Sequence, residues 1–325
     1  MFKQKSFTRY VLLFAAVFGA YGKVFAQEWP QRPARILVPF AAGGVTDSIA
    51  RIAGEWLGRR VGQNIIVENR PGGNGAIAVE AVARSAADGY TLLMASASQM
   101  AILPAMTKTP YDAVRDFAHS TIVGGNMFAL AAHRSLPVDT LPAFVSFVKA
   151  RPGQITYASA GSGSVSHLAV ALLIQRTGLV MTHVPYKGGA PAMADAVAGQ
   201  VSLYFGNISE VLPHSSANRI RVLAVSGEKR SAQLPKAPTV AESGYPGFRA
   251  VTWNGIAAPA KTPQAVVERI AREMRLGLND GGFVAKLQGI GVDAICNTPE
   301  EFAKTLKADA AMWAEAVRVS GARID

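Results

Sequence analysis

The sequence predicts an α/β protein of two lobes, each a mainly parallel sheet flanked by helices. Three observations carry that reading. Short apolar β-type runs alternate with helical patterns for most of the length, and parallel neighbours need such crossover connections. Two strand-to-helix turns are built from small residues, one at Ala41-Ala42-Gly43-Gly44 and one at Ala158–Ser164. Two breaks, Gly124-Gly125-Asn126 and Gly244-Tyr245-Pro246-Gly247, divide the apolar pattern, as expected if the chain crosses to a second lobe and returns. The expected division is 27–126 with 250–325 for lobe 1, and 127–249 for lobe 2.

The chain opens on a segment with the layout of a signal peptide. Lys3, Lys5 and Arg9 precede an apolar stretch from Val11 to Tyr21, and Val24-Phe25-Ala26 offers small residues where a signal peptidase reads. Cleavage is expected after Ala26, giving an exported, soluble chain. No later segment has the roughly 20 unbroken apolar residues of a membrane span. Removing residues 1–26 takes away four basic side chains and no acid, which lowers the formal charge from +11 to +7. A basic surface suits the collection of acidic solutes. No Lys/Arg cluster alternates with aromatics, which argues against nucleic acid.

Ile36-Leu37-Val38 is the apolar heart of a first strand, 34–38, which stops at Pro39-Phe40 and feeds a helix over 46–60. A strand that ends on small residues and enters a helix leaves backbone N–H groups at a positive helix terminus, a setting for an anion. Asp47 either orients the Gly43-Gly44 loop or stabilises the helix start. Strands follow at 64–68 and 91–95, with a helix over 75–86 between them. Asn69–Ala78 contains a loose G-x-G-x-x-A pattern, but Glu68-Asn69-Arg70-Pro71 intervenes and the acid that should follow the next strand precedes it. Nicotinamide binding is therefore rejected, and the segment is read as a structural turn or a third wall of a cleft.

Beyond the first break come strands at 128–132, 155–158, 181–184, 201–205 and 220–225, with helices at 140–150, 165–177 and 189–198. The turn from Ala158 to Leu168 is glycine- and serine-rich, and it suits either a second anion pocket or an ordinary capped helix start. It fails as an enzyme motif. Positions 161–165 read G-S-G-S-V, with glycine where a nucleophile elbow needs serine, and no lysine makes a P-loop. His167 has no orienting carboxylate nearby and is expected to lock or pack the helix start. In His183–Asp195, Pro191 suits a first helical turn, and Lys187 either draws an anion inward or is simply solvated beside its glycine.

After the second break a strand at 252–257 leads to a helix at 263–278. The tail, 299–319, reads as a helix with Phe302, Leu306, Met312, Trp313 and Val317 as its apolar stripe. The five histidines (119, 133, 167, 183, 214) lack metal-binding spacing. Cys296 stands alone among apolar neighbours, so no internal disulfide forms, and no nearby base supports a reactive thiol. Neither a metal nor another cofactor is expected.

Taken together, these segments resemble the periplasmic solute-binding proteins of tripartite tricarboxylate transporters, the Bug proteins. The markers run from Trp29-Pro30 and Arg32-Pro33 through Val38-Pro39-Phe40-Ala41-Ala42-Gly43-Gly44 with Asp47 and Ala50-Arg51. They continue with Val67–Gly72, Asp88-Gly89-Tyr90-Thr91-Leu92, Tyr111-Asp112 and Asp116-Phe117. Val184–Gly188, Ala237–Glu242, Trp253 and Ala258-Pro259 complete them. Two stretches depart from the family pattern, Ala113-Val114 and Ala118-His119-Ser120, both near the expected crossover.

The resemblance implies a Venus-flytrap fold of the periplasmic-binding-protein type II kind, with no enzymatic activity. It implies capture of a small carboxylate between the lobes for membrane permease subunits, by a periplasmic monomer. A sensory role at a membrane receptor would need no different residues. Carried over by position, the first-lobe ligand candidates are Phe40, Ala42, Gly43, Thr46, Ser96 and Ser98. Those of the second lobe are Ser159, Gly163, Ser164, Val165, Gly206 and Asn207, with Asp195 near a ligand's distal group.

Overall fold

Residues 29–186 and 188–322 are described in this computed structural model. The expected signal peptide, Lys187 and its suggested pull on an anion lie outside the described residues. The first apolar run forms β1 (Ala34–Val38), and α1 (Val45–Val61) follows directly. β1 is flanked in parallel by β2 (Ile65–Asn69) and β3 (Thr91–Ser96). The short helix α2 (Ala76–Ala83) makes the crossover between β2 and β3. A wide helical turn at Ser98–Ile102 and α3 (Leu103–Met106) then lead out of the sheet.

The strand that follows is far longer than the sequence suggested. β4 runs from Phe117 to His133, where the hydropathy pattern gave only 128–132. Gly124-Gly125 reads as a break because it interrupts the apolar run, yet the backbone stays extended through it. A Cβ on Gly124 would come within 2.5 Å of Val292 and 3.0 Å of the Asp293 carbonyl, so glycine admits the neighbouring chain here. That chain is β10 (Asp293–Ala294), paired antiparallel with Gly124 and Gly125.

The second parallel trio follows the same plan as the first. β5 (Thr156–Ser159) lies between β6 (Thr182–Pro185) and β7 (Leu203–Asn207). The helix α4 (Leu141–Lys149) precedes β5, and α5 (Val165–Thr177) and α6 (Gly189–Ala198) make the crossovers. After β7 comes α7 (Ile208–Ser216), which the sequence reading did not contain, and then β8 (Ile220–Val225). The chain returns as β9 (Val251–Pro259), antiparallel to both β3 and β4. Two more helices, α8 (Gln264–Arg275) and the unanticipated α9 (Gly281–Gly289), precede β10. The tail helix α10 (Pro299–Ser320) starts at a Thr298–Glu301 capping box.

The strand order is β2-β1-β3-β9-β4-β7-β5-β6. β4 joins the two halves: it pairs with β9 from Phe117 to Met127, then with β7 and β8 from Phe128 on. The result is a two-lobed α/β architecture in which two parallel trios are connected by long antiparallel strands. Apolar side chains cover the sheets on both faces. Ile36, Trp56, Leu57 and Phe283 fill one side of lobe 1, and Met193, Tyr204 and Val211 one side of lobe 2. The largest cluster runs along both lobes and includes Phe144, Leu168, Trp253, Phe302 and Trp313. α10 packs against α5 and against the Ser98–Ile102 turn, so it touches both lobes.

Candidate functional site

The turn after β1 is held by its own helix. Gly43 takes a positive φ of 88°, and its N–H donates to Asp47 Oδ2 at 2.9 Å. Asp47 is 3% exposed and also accepts from Arg51 Nη2 at 3.0 Å and Asn69 Nδ2 at 2.9 Å. Burial pushes its carboxyl pKa up, but these hydrogen bonds outweigh it and hold the group below the usual carboxylate value. Of the two roles open for Asp47, the structure shows the loop-orienting one. The first amide bonded within α1 is that of Ser48, to Gly44 O at 3.0 Å, so the amides of Val45 and Thr46 precede the helical ladder. Thr46 Oγ1 accepts from Asn254 Nδ2 at 3.0 Å, which leaves the hydroxyl proton to donate elsewhere.

The turn after β5 is likewise closed on itself. Ala160 N–H donates to Ser166 Oγ at 2.8 Å, Gly161 N–H to Ser159 Oγ at 3.2 Å, and Gly163 N–H to His167 Nδ1 at 3.1 Å. His167 therefore locks the turn, with Nδ1 as acceptor. Its ring stacks on His183 with centroids 4.0 Å apart and planes 2° from parallel, and Tyr157 stacks on His183 in turn. Burial, helped by His183, pushes the His167 pKa down to about 4. His183 Nε2 lies 2.7 Å from Ser159 Oγ, so the pair supports the turn from beneath at two points. Ser164 caps α5, accepting from His167 N–H at 3.3 Å. The first amide in the α5 ladder is that of Leu168, which leaves those of Val165 and Ser166 ahead of it.

These bonds change what the two turns can offer. Gly43, Ala160, Gly161 and Gly163 spend their amides within the protein. The donors that precede the ladders are the first-turn amides of α1 and α5, with the hydroxyl of Thr46 beside the first; the Ser164 hydroxyl is already donated to Gly161 O at 2.6 Å.

Both helix starts line one cavity of about 200 Å³ between the lobes. Phe40, Val45 and Thr46 come from the first turn, and Ser96 and Ser98 from the end of β3. Ala160, Ser164, Val165 and Ser166 face them from the second turn. The linking strands supply Asn126 and Phe128 from β4 and Thr252, Trp253 and Asn254 from β9. Tyr204, Asn207 and Glu210 complete the wall on lobe 2. A neighbouring chamber of about 420 Å³ shares Phe40, Ser98, Ser164 and Val165 and extends to Asn74, Met106 and Gly163. Asn74 brings the glycine-rich segment after β2 to the edge of the cleft, where it forms a wall of that chamber.

Of the residues singled out in the sequence, Phe40, Thr46, Ser96, Ser98, Ser164, Val165 and Asn207 converge on the first cavity, and Gly163 on the second. Ala42 and Gly43 sit exposed on the first turn, outside both linings. Ser159 is fully buried under the second turn. Gly206 is buried in β7, where a Cβ would fall 2.1 Å from the Tyr204 ring. Asp195 lies half-buried on α6 and accepts from Tyr186 Oη at 2.6 Å.

Sequence reasoning missed Asn126, Phe128, Thr252 and Asn254, because nothing local marks a strand shared between two sheets. It missed Tyr204 and Glu210 with α7. Glu210 Oε2 accepts from Tyr204 Oη at 2.8 Å and from Asn207 N–H at 3.2 Å. Asn207, followed three residues later by Glu210, was the capping signal that marks this helix. Cys296 lies elsewhere, 1% exposed in the lobe 1 core, its thiol pushed up by burial to about 12. Among the described residues no cluster of His, Cys, Asp and Glu is placed to hold a metal.

Comparison with known proteins places this geometry. The family described as "Tripartite tricarboxylate transporter family receptor" matches residues 49–321. Protein BugT of Bordetella pertussis is 35% identical, over 96% of each chain. Among solved structures, Rpa4515 of R. palustris with adipate is 32% identical, with a TM-score of 0.76 over 91% of this chain and 100% of its own. MatC from Rhodopseudomonas palustris with bound malate is 28% identical, with a TM-score of 0.72 over 89% and 100%.

Proposed function

This chain belongs to the tripartite tricarboxylate transporter receptor family of solute-binding proteins, which are not enzymes, and on that premise we propose that it captures a small carboxylate between its lobes. One observation carries the reading: two helix N-termini on different lobes, the first with the Thr46 hydroxyl beside it, open into the same cavity. A carboxylate placed there would meet Val45 and Thr46 on one side and Ser164, Val165 and Ser166 on the other. Helix starts favour negative charge by about 0.3–1 kcal/mol each at exposed sites, and more when partly buried. The ligands named for two relatives, adipate and malate, are both small carboxylates.

Capture would proceed by hinge closure. The lobes, taken as 27–126 with 250–325 and 127–249, are joined through β4 and the approach to β9. Small dihedral changes there would swing the α5 start towards the α1 start. A ligand favours the closed arrangement only through contacts that both lobes make together. The expected setting is the periplasm, after loss of residues 1–26, with delivery of the solute by the monomer to membrane permease subunits.

A thermal-shift screen of residues 27–325, stripped of ligand by unfolding and refolding, tests the reading. A carboxylate at one hundred times its Kd should add about 2.7 kcal/mol of stability. Failure of every small carboxylate in the panel to raise the melting temperature would contradict it.

A further inference from the structure

The cavity is not uniform in charge. Its α1 and α5 walls present helix N-termini, whereas Glu210 is the one acidic residue among the described residues of its lining. Glu210 is held firmly there. Its Oε2 takes the two donors Tyr204 Oη and Asn207 N–H, while Oε1 lies over the start of α6. A Cβ on Gly189 would fall 2.2 Å from Oε1, so glycine is needed at that position for the carboxylate to sit where it does. Among the described residues no Lys or Arg forms an ion pair with Glu210.

We infer that Glu210 sets the chemical class of the ligand: a small molecule carrying one carboxylate for the helix starts and an ammonium for the Glu210 wall. This rests on the cleft reading and narrows it. A second carboxylate brought to that wall would face Glu210 at short range in a partly dehydrated site, where like charges repel strongly. An ammonium has three protons to donate, and Oε1 keeps acceptor capacity that the two bonds to Oε2 do not use. The two donors hold the Glu210 side chain in one place for a ligand to meet.

The side chain also has a structural job, since it completes the cap of α7. Glutamine can make the same cap, so Glu210→Gln removes the charge and keeps the hydrogen bonds. The test measures Kd by calorimetry for matched ligands on stripped protein: glutarate against 4-aminobutyrate, glutarate against glutamate, and succinate against aspartate. In the wild-type protein the ammonium-bearing member of at least one pair should bind about tenfold tighter or better, a difference of about 1.4 kcal/mol. In Glu210→Gln that preference should fall to within about threefold, in line with the loss of one close charge pair.

Wild-type protein that binds glutarate and succinate as tightly as their ammonium-bearing partners overturns the inference and leaves the cleft reading standing. So does a preference that survives unchanged in a folded Glu210→Gln protein. No binding by any compound in the set overturns both. The wild-type comparison needs no variant, so it decides the matter even if Glu210→Gln fails to fold.

Discussion

Trp253 donates its indole N–H to Asp309 Oδ2 at 2.7 Å, tying a strand that lines the cleft to the C-terminal helix. Asp309 is fully buried on α10 and also accepts from Arg249, which lies just ahead of β9. Phe302, one of the apolar residues of the same helix, packs edge-on against Trp253 with ring centroids 5.0 Å apart. The helix therefore acts as a strut where the chain re-enters lobe 1.

Asp309→Ala would leave Arg249 and the Trp253 N–H without their buried partner. Breaking such a pair on one side is expected to cost about 3–5 kcal/mol. Urea unfolding of the ligand-free protein reads this directly, and a loss below about 1 kcal/mol would mean the pair holds little.

Thr46→Val keeps the shape of the side chain and removes its hydroxyl. Asp47 stays in place, but Asn254 Nδ2 loses its acceptor, so some stability should fall together with ligand affinity. Loss of one hydrogen bond to a charged group, about 1.5–3 kcal/mol, should weaken carboxylate binding tenfold or more. Calorimetric titration measures it, and an unchanged Kd would remove Thr46 from the site.

The two turn glycines should behave differently. A Cβ on Gly163 would lie 2.3 Å from Met106 Cε, a residue of the opposite lobe, and the φ of 75° is strained for any L side chain. Gly163→Val should therefore hinder the approach of the lobes and weaken binding sharply. Gly43 has open space around it and a φ of 88°, so Gly43→Ala should cost about 1–2 kcal/mol of backbone strain and affect binding less. Equal losses of affinity in both would show that the turns contribute through something other than lobe contact.

Acid should loosen the second turn. The His167 pKa is lowered from 6.5 to about 4, so in the folded protein the neutral ring is favoured. The unfolded chain binds the proton first as pH falls below 6.5. This contribution is thus complete above that pH and lost progressively on the way down to about 4. A shift of that size corresponds to at most about 3 kcal/mol. His119, buried in lobe 1, shifts the same way and shares the window. His167→Leu should accordingly flatten, without abolishing, the fall in urea midpoint between pH 7 and 4.5, and it should weaken ligand binding at neutral pH because Gly163 loses its acceptor. An unaltered pH slope would exclude His167 as a source of it.

The sequence carried the α/β architecture because parallel strands hold short apolar runs next to helices, as in Ile36–Val38 and Leu92–Met94. It did not carry β4, since Gly124-Gly125 lowers hydropathy where another strand needs room. The hydroxyl-bearing turns were visible because Thr46 and Ser164 stand at strand-to-helix junctions. What those turns do with their amides was not visible. Asp47 lies four residues from Gly43, and His167 four from Gly163, but spacing alone did not say that each would take the glycine N–H. Glu210 entered the cleft on a helix whose only local signal was its cap.

A small carboxylate between the α1 and α5 starts should be visible in a crystal structure of the stripped protein soaked with its tightest-binding carboxylate. Carboxylate oxygens are expected within hydrogen-bonding reach of Thr46 on one lobe and of the Val165 or Ser166 amide on the other. A ligand bound to one lobe alone, or outside the cavity that Phe40 and Trp253 help to line, would contradict this placement.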